Sequence, residues 1–276
     1  MSDPVSRALA HVRGLASNDP NPVEYPVTIN FHPDLRVRGA SMIDLLARDG
    51  LYRSQFETGV SNGGLTAHPG GDRWVWESRT FGRAYDGADP AVRPKYGALN
   101  HRRDPVGGSR RFGSCHLRLR RHVLNRTTFC YPDSVFQPKD FGIEAASQLV
   151  ALAEANRFRL DPVLDNYVEA HLHGELCLSK DVEAVVLDPS YRGTSIEASA
   201  RTLECPVEWH DGFQLDIEQG EDCERYRGRV AADALGRVAV RGVVTPAVLG
   251  SARDDTLDYQ TAKWVWHCVA RLGRDT

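Results

Sequence analysis

The sequence predicts a single soluble domain of the α+β class. Its 276 residues suffice for one large domain, and no repeat, low-complexity stretch or convincing linker divides them. Strand-like runs are interspersed with amphipathic helical stretches along the chain. Apolar residues make up 41% and charged residues 26% of the chain, close to the average of globular domains, so a packed core needs no metal or disulfide.

The first 56 residues are predicted to form two helices and two strands. Asp3 before Pro4 is a typical helix start, and Asp49-Gly50 is a typical helix stop. A polar, proline-rich connector separates the first helix from a β-branched run that presents His32 at its end. The predicted elements are helix 2–15, connector 17–26, strand 27–31, helix 41–48 and strand 51–56.

Two loops follow. Residues 58–64 are turn-rich, and their glycines let the backbone approach a ligand closely. The segment 83–110 is rich in Pro, Gly and Asp, and a strand-like piece at Tyr96–Leu99 interrupts it. A loop of this length inside a compact domain is more often functional than not.

The second half contains the clearest elements, an amphipathic helix at 141–158 and a strand at 167–178. The other predicted elements are strands 111–119, 126–130 and 182–187 and helices 195–203, 221–234 and 257–272. We divide the single domain into an N-terminal helix and connector (1–26), a core of motifs (27–193) and a mostly helical C-terminal part (194–276).

Charge and targeting features narrow the function classes. No apolar run approaches the roughly 18 residues of a membrane span and no signal peptide is evident, so we expect a cytoplasmic protein or one exported without a cleaved signal. The six cysteines form no C-x-x-C pair, and we expect free thiols. The net charge is −3, but eight arginines between 102 and 126 form either a phosphate-binding segment or a solvated basic face.

The strand at 167–178 carries the most informative pattern. Because side chains alternate between the faces of a strand, Glu169, His171, His173 and Glu175 all point to one side. Three interpretations stay open: an exposed polar face, a metal site built on the histidines, and a catalytic carboxylate at Glu169. A fixed carboxylate stabilises the oxocarbenium-like species that forms when an N-glycosidic bond breaks.

Other residues have the chemistry of nucleotide binding. Aromatic rings stack on a cationic nicotinamide, arginines neutralise a pyrophosphate, and His32 can bind a ribose hydroxyl or a phosphate. The candidate NAD-binding residues are Tyr52, Gln55, Thr58, Ser61, Asn62, Trp74, Tyr96 and Arg111. No Rossmann or P-loop motif is present, and the adjacent Cys115 and His116 face opposite sides of a strand, which disfavours a Cys-His hydrolase.

Five segments of the chain, 52–77, 93–100, 111–119, 126–134 and 167–174, together resemble an uncharacterised bacterial family known only as a domain of unknown function. Their succession is similar to that in toxin-type ADP-ribosyltransferases. That resemblance implies split antiparallel β-sheets with flanking helices, NAD bound in the cleft between them, and a triad of site residues. Matched to this sequence, the triad is His32, then Thr58 or Ser61, and the catalytic Glu169.

The resemblance therefore implies a mono-ADP-ribosyltransferase-like toxin or effector that uses NAD as substrate and favours a protein over a nucleic acid as acceptor. His171 stands where a Glu or Gln usually assists the acceptor, so hydrolysis of NAD without transfer, and loss of activity, stay open. The alternatives are a metal-dependent hydrolase or oxygenase that uses His171 and His173, and a non-catalytic module that binds nucleic acid or another acidic partner through 102–126.

Overall fold

A computed structural model of the chain describes residues 3–17, 21–59, 66–253 and 255–273. Within this part the protein is a mixed α+β structure, as the sequence predicts. The strands are β1 Val27–Phe31, β2 Arg36–Val37, β3 Ala40–Ser41, β4 Lys95–Leu99, β5 Cys115–Leu119, β6 Thr127–Tyr131, β7 Asp140–Ile143, β8 Val168–Leu172, β9 Val182–Leu187, β10 Val207–Trp209, β11 Leu215–Asp216 and β12 Val243–Val244.

Eleven helices are seen in the same described ranges. They are α1 Pro4–Leu15, α2 Met42–Asp49, α3 Gln55–Thr58, α4 Asp72–Thr80, α5 Ser147–Glu154, α6 Leu178–Asp181, α7 Ser195–Ala200, α8 Gly220–Arg227, α9 Arg229–Val238, α10 Pro246–Ala252 and α11 Tyr259–Leu272. The first begins where the sequence predicts, since the Asp3 carboxylate accepts hydrogen bonds from the amides of Val5 and Ser6.

Eight strands form one sheet in the order β10-β9-β5-β1-β4-β8-β6-β7. Neighbours are antiparallel except β9 and β10, which run parallel. The resemblance to ADP-ribosyltransferases implies split sheets, but this sheet is continuous, because β1 pairs with both β5 and β4. The connection is narrow: β1 and β4 share only the pairs Val27–Leu99 and Thr28–Ala98, so four strands lie on each side of a short junction.

Three apolar clusters hold the elements together. The largest covers one face of the sheet and includes Ile29, Phe129 and Val168. A smaller one covers part of the opposite face, where α1 and α4 pack through residues such as Val12 and Trp76. The third is formed mainly by α8, α9, α10 and α11 and has its own buried side chains. The C-terminal part is therefore a helical layer with a core of its own.

Several predicted elements need correction. Residues 141–158 form β7 and the shorter α5 rather than one helix, because β7 pairs with β6 along its length. Residues 51–56 are not a strand, since a capping box at Ser54 starts α3 there and only Leu51 makes an isolated bridge. Helix α4 was not predicted, and the loop 58–64 lies largely outside the described residues.

The expectation of free thiols is wrong for two of the six cysteines. Cys223 on α8 and Cys268 on α11 form a disulfide, with their Cα atoms 5.5 Å apart. The two residues are 45 positions apart, and only the packing of the two helices brings them together. Cys115, Cys130, Cys177 and Cys205 are free. Among the described helices, none combines the length and the apolar character that crossing a membrane requires.

The junction of β1 and β4 depends on a glycine. A Cβ atom at Gly97 would overlap the carbonyl oxygen of Thr28 and the side chain of Ile29, both on β1. Only a residue without a side chain lets the two strands come this close.

We therefore expect Gly97→Ala to lower the free energy of unfolding by about 1–3 kcal/mol, because the added methyl group must push the strands apart. Chemical denaturation monitored by circular dichroism measures the effect. Gly87→Ala is the matched control, since nothing lies within 4 Å of its Cβ position, and its effect should stay within about 1 kcal/mol. Equal stability of the two variants would contradict the tight junction.

Candidate active site

A cavity opens where β1 and β4 part. It has a volume of about 260 Å³ and lies beyond the last residue pair of the junction, with Asn30 of β1 and Tyr96 and Gly97 of β4 in its wall. We call it the sheet cavity. Its remaining wall is formed by Leu35, Met42, Tyr52, Arg53, Gln55, Thr58, Arg73, Lys95, Ser109, Arg111, Phe112, Asp133, Ser134, Val135, Phe136, Asp165, Tyr167, Glu169 and Arg227.

Glu169 on β8 is the carboxylate held most firmly in the sheet cavity. One oxygen, Oε1, lies 2.9 Å from Nε2 of His171, and the other accepts a hydrogen bond of 3.1 Å from the Ser134 hydroxyl. Burial opposes ionisation of this side chain, but the hydrogen bond and charge of His171, with Arg73 and Ser134, lower its pKa below the ordinary value. Glu169 is thus a buried carboxylate kept in its charged form.

A chain of hydrogen bonds leads from Glu169 into the core. Nδ1 of His171 lies 3.1 Å from the Thr128 hydroxyl, which lies 2.9 Å from Nε2 of His173. Nδ1 of His173 in turn lies 2.7 Å from the Tyr85 hydroxyl. With Glu169 ionised, His171 donates its Nε2 proton to Glu169, and the Thr128 hydroxyl donates its one proton to either His171 or His173. Burial lowers the pKa of His173, which fits its neutral form in this chain.

This geometry excludes one of the three interpretations of the strand face. Glu169, His171 and His173 are buried, so the strand does not present an exposed polar face. Glu175 leaves the face because Gly174 adopts a positive φ of 79°, and its side chain is exposed. Both ring nitrogens of each histidine are within hydrogen-bond distance of protein groups.

A second carboxylate, Asp133, lies beside Glu169 in the sheet cavity. It accepts hydrogen bonds from the Tyr167 hydroxyl and, at 2.6 Å, from the amide of Val135. Burial and the nearby charge of Glu169 raise its pKa to about 6. Two carboxylates in one desolvated site do not ionise equally, and here the ionised one is Glu169 while Asp133 retains its proton to higher pH.

Arg73 is a buried cation in the wall of the sheet cavity. Its guanidinium lies 3.9 Å above the ring of Tyr96, and its Nη1 donates a hydrogen bond of 2.9 Å to Ser134. Within the described part of the chain it forms no ion pair with a carboxylate, and its Nε has no hydrogen-bond partner. A buried guanidinium with unused donors is suited to bind an anionic or carbonyl-bearing ligand.

The structure brings six of the predicted site residues together. Tyr52, Gln55, Thr58, Tyr96, Arg111 and Glu169 all line the sheet cavity. The Tyr96 ring is covered on one side by Arg73, and its hydroxyl donates to Glu77 at 2.8 Å. Trp74 on α4 is half-buried and lies outside the cavity wall, while Ser61 and Asn62 fall outside the described residues.

His32 lies in a separate, smaller cavity of about 20 Å³, which we call the helix cleft because Tyr259, Lys263 and Trp266 of α11 line it. The His32 ring contacts the Trp266 ring edge to face, with the centroids 4.8 Å apart. Burial lowers its pKa well below the ordinary value. The helix cleft shares Leu35, Arg111 and Phe112 with the sheet cavity, so the two cavities are neighbours.

Most arginines of 102–126 do not face either cavity. Four form ion pairs with carboxylates, namely Arg110, Arg111, Arg118 and Arg126, and two others, Arg102 and Arg120, donate to backbone carbonyls. Of these eight arginines, only Arg111 lines the sheet cavity and the helix cleft. Half of the arginines in this segment are therefore neutralised by neighbouring carboxylates.

The residues that sequence reasoning missed are Arg73, Asp133 and Ser134. Each lies inside a segment that carries the family resemblance, 52–77 or 126–134, so the segments themselves were the available indication. Their roles depend on the distance from Glu169, which sequence does not give.

Comparison with known proteins identifies a family without an assigned activity. The family model described as "Protein of unknown function (DUF3626)" matches residues 26–163 and 144–271, which together cover most of the chain, and the chain belongs to this family. A search of curated proteins finds no match.

The protonation of Asp133 predicts a pH dependence of stability. Its folded pKa, about 6, lies above the ordinary 3.8, so the folded protein binds more protons than the unfolded chain in this window. The contribution of Asp133 is therefore full below about pH 4 and is lost as the pH rises towards 6.

Asp133→Asn removes this titration. We expect the unfolding free energy of the variant, relative to the unsubstituted protein, to increase between pH 4 and 6, as measured by urea denaturation across that range. Asp140→Asn, at a half-buried position of β7, is the control and should leave the difference constant. A constant difference for Asp133→Asn would overturn the assignment of the proton.

Proposed function

We propose that this member of an uncharacterised family is a mono-ADP-ribosyltransferase-like enzyme that cleaves NAD between nicotinamide and ribose. The observation that carries the proposal is the buried, ionised Glu169 in the wall of the sheet cavity, at a parting of two strands. A carboxylate fixed in this way stabilises the positive charge that develops on the ribose as the bond breaks.

In the proposed reaction the bond between ribose C1′ and the nicotinamide nitrogen breaks, and its electron pair leaves with nicotinamide. The oxocarbenium ion that remains is stabilised by Glu169. A nucleophilic group of a macromolecular acceptor then bonds to C1′ and loses a proton; a protein is the favoured acceptor. Water in the same position gives free ADP-ribose, so NAD glycohydrolase activity uses the same site.

The chain of hydrogen bonds behind Glu169 supports this role. His171 presents its Nε2 proton to Glu169, and Thr128 and His173 fix the His171 ring from behind. A carboxylate that is already oriented and charged needs no rearrangement as the transition state forms. Around it, Arg73 offers donors, Tyr52 and Thr58 shape the wall, and Phe112 and Tyr96 supply aromatic rings.

Glu169→Gln should reduce nicotinamide release from NAD by orders of magnitude, because the neutral amide cannot stabilise the oxocarbenium ion, while NAD still binds. Release is measured by chromatography and binding by calorimetry, and labelled NAD with a cell lysate reports transfer to an acceptor. Glu175→Gln is the matched control, since this exposed glutamate lies six residues along the same segment. Full activity of Glu169→Gln contradicts the proposal.

A second candidate is a metal-dependent hydrolase or oxygenase. Ligand atoms of Cys130, Glu169 and His171 lie within 4.8 Å of one another, all buried. A metal there would displace the hydrogen bond between Glu169 and His171, and the second imidazole, His173, has both nitrogens engaged. The geometry thus favours the hydrogen-bonded carboxylate.

Chelation distinguishes the two candidates. We expect nicotinamide release to be unchanged after treatment with a strong chelator, and Cys130→Ser to retain it, because the thiol only packs beside the carboxylate in this proposal. Elemental analysis of the untreated protein accompanies the assay. Release that is lost on chelation and restored by added zinc would favour the metal enzyme.

The third interpretation, a module that binds nucleic acid through 102–126, has less support. Four of the eight arginines are paired with carboxylates of the same protein, which leaves half of the charges of the segment for phosphates.

A further inference from the structure

The boundary between the sheet cavity and the helix cleft is lined by three cations, Arg111, Arg227 and Lys263. Arg227 lines the sheet cavity, Lys263 lines the helix cleft, and Arg111 lines both. We call these three residues the cationic strip. They come from separate parts of the chain: Arg111 from a short 3₁₀ turn before β5, Arg227 from the end of α8, and Lys263 from α11.

The cationic strip carries more positive charge than its carboxylates neutralise. Arg111 pairs with Asp165, which also lines the sheet cavity. Within the described ranges, neither Arg227 nor Lys263 is in an ion pair with a carboxylate: Asp161 pairs with Arg271, and the other cation of the helix cleft, Arg253, pairs with Asp34. Arg227 and Lys263 thus carry positive charges that no carboxylate of the described residues pairs with.

The surroundings make this arrangement unfavourable without a ligand. Arg227 lies against the Tyr226 ring at 4.3 Å, and its Nε is buried without a hydrogen-bond partner among the described residues. Burial and then the positive charges of Arg111 and Arg227 lower the pKa of Lys263. Burial also lowers the pKa of Arg227, and Arg111 contributes to this shift. An anion at the strip would relieve this repulsion and use the open donors.

Position also favours a bridging ligand. Nε1 of Trp266 donates to the backbone carbonyls of Arg110 and Arg111, at 3.2 and 3.0 Å, and so fixes α11 to the segment that carries Arg111. The helical C-terminal layer therefore supplies two of the three cations at a defined place beside the catalytic cavity.

We propose that the cationic strip binds the diphosphate group of a nucleotide at the boundary between the sheet cavity and the helix cleft. This proposal rests on the proposed function for the identity of the nucleotide: in NAD the nicotinamide ribose lies at Glu169 and the diphosphate lies against the strip. The strip itself recognises a diphosphate whether or not the protein cleaves NAD.

The test uses calorimetry with ADP, inorganic pyrophosphate and adenosine as probes for the full chain. Lys263→Gln and Arg227→Gln should each weaken ADP binding about tenfold or more, because each removes a charge-assisted interaction. Adenosine, which has no phosphate, should bind the variants and the unsubstituted protein alike. The control is Arg225→Gln on the same helix as Arg227, an exposed arginine that pairs with Asp222 and should leave ADP binding unchanged.

The outcomes separate this proposal from the proposed function. If ADP binding depends on Lys263 and Arg227 but NAD is not cleaved, the diphosphate site stands and the NAD-cleaving activity falls. If NAD is cleaved and Lys263→Gln changes neither ADP affinity nor the KM for NAD, the strip is overturned and Glu169 keeps its role. Circular dichroism checks folding, and Lys263→Gln decides the result if Arg227→Gln fails to fold. No binding of ADP or pyrophosphate to the unsubstituted protein also overturns the strip.

Discussion

The site depends on the parting of β1 from β4. The strands pair over two residue pairs, and Gly97 lets them approach before they diverge. Every unpaired backbone group in a sheet must find water or another partner, so the gap that follows cannot remain an apolar void. It becomes a polar cavity instead, with Glu169 carried to its wall by β8, the neighbour of β4. The topology therefore creates the cavity and also delivers the carboxylate.

Electrostatics then determines which chemistry the cavity can support. Glu169 and Asp133 share a desolvated space with a single buried guanidinium, that of Arg73. The hydrogen bond from His171 helps to lower the pKa of Glu169. Burial and the charge of Glu169 raise the pKa of Asp133, which therefore keeps its proton to higher pH. This difference in ionisation between Glu169 and Asp133 would be lost if the histidines bound a metal, because His171 could no longer donate to Glu169. The proposed carboxylate chemistry depends on this contact, whereas a metal bound by Cys130, Glu169 and His171 would require it to break.

The sequence correctly predicts features that a local pattern determines, such as the face of a strand to which a side chain points. Alternation along β8 placed Glu169, His171 and His173 on one face, and the hydrogen bonds that link them directly or through Thr128 confirm it. The prediction of one helix at 141–158 is wrong because tertiary pairing overrides local preference. These residues have helical periodicity throughout, yet their first part pairs with β6 and forms β7. The disulfide between Cys223 and Cys268 and the position of Asp133 depend on how helices and turns pack, which no local pattern encodes. His32 was placed correctly at the end of β1, but its side chain meets α11 rather than Glu169.

The separation of His32 from Glu169 also gives the C-terminal helices a role. The sheet cavity, about 260 Å³, is small beside the 300–1,000 Å³ typical of ligand sites, so the proposed dinucleotide would need additional surface. The helix cleft lies next to the sheet cavity, and the indole of Trp266 fixes α11, which lines this cleft, to the segment that carries Arg111. In the proposed function the sheet thus supplies the reacting carboxylate, and the helical layer supplies Arg227 and Lys263, whose charges would hold the ligand beside it.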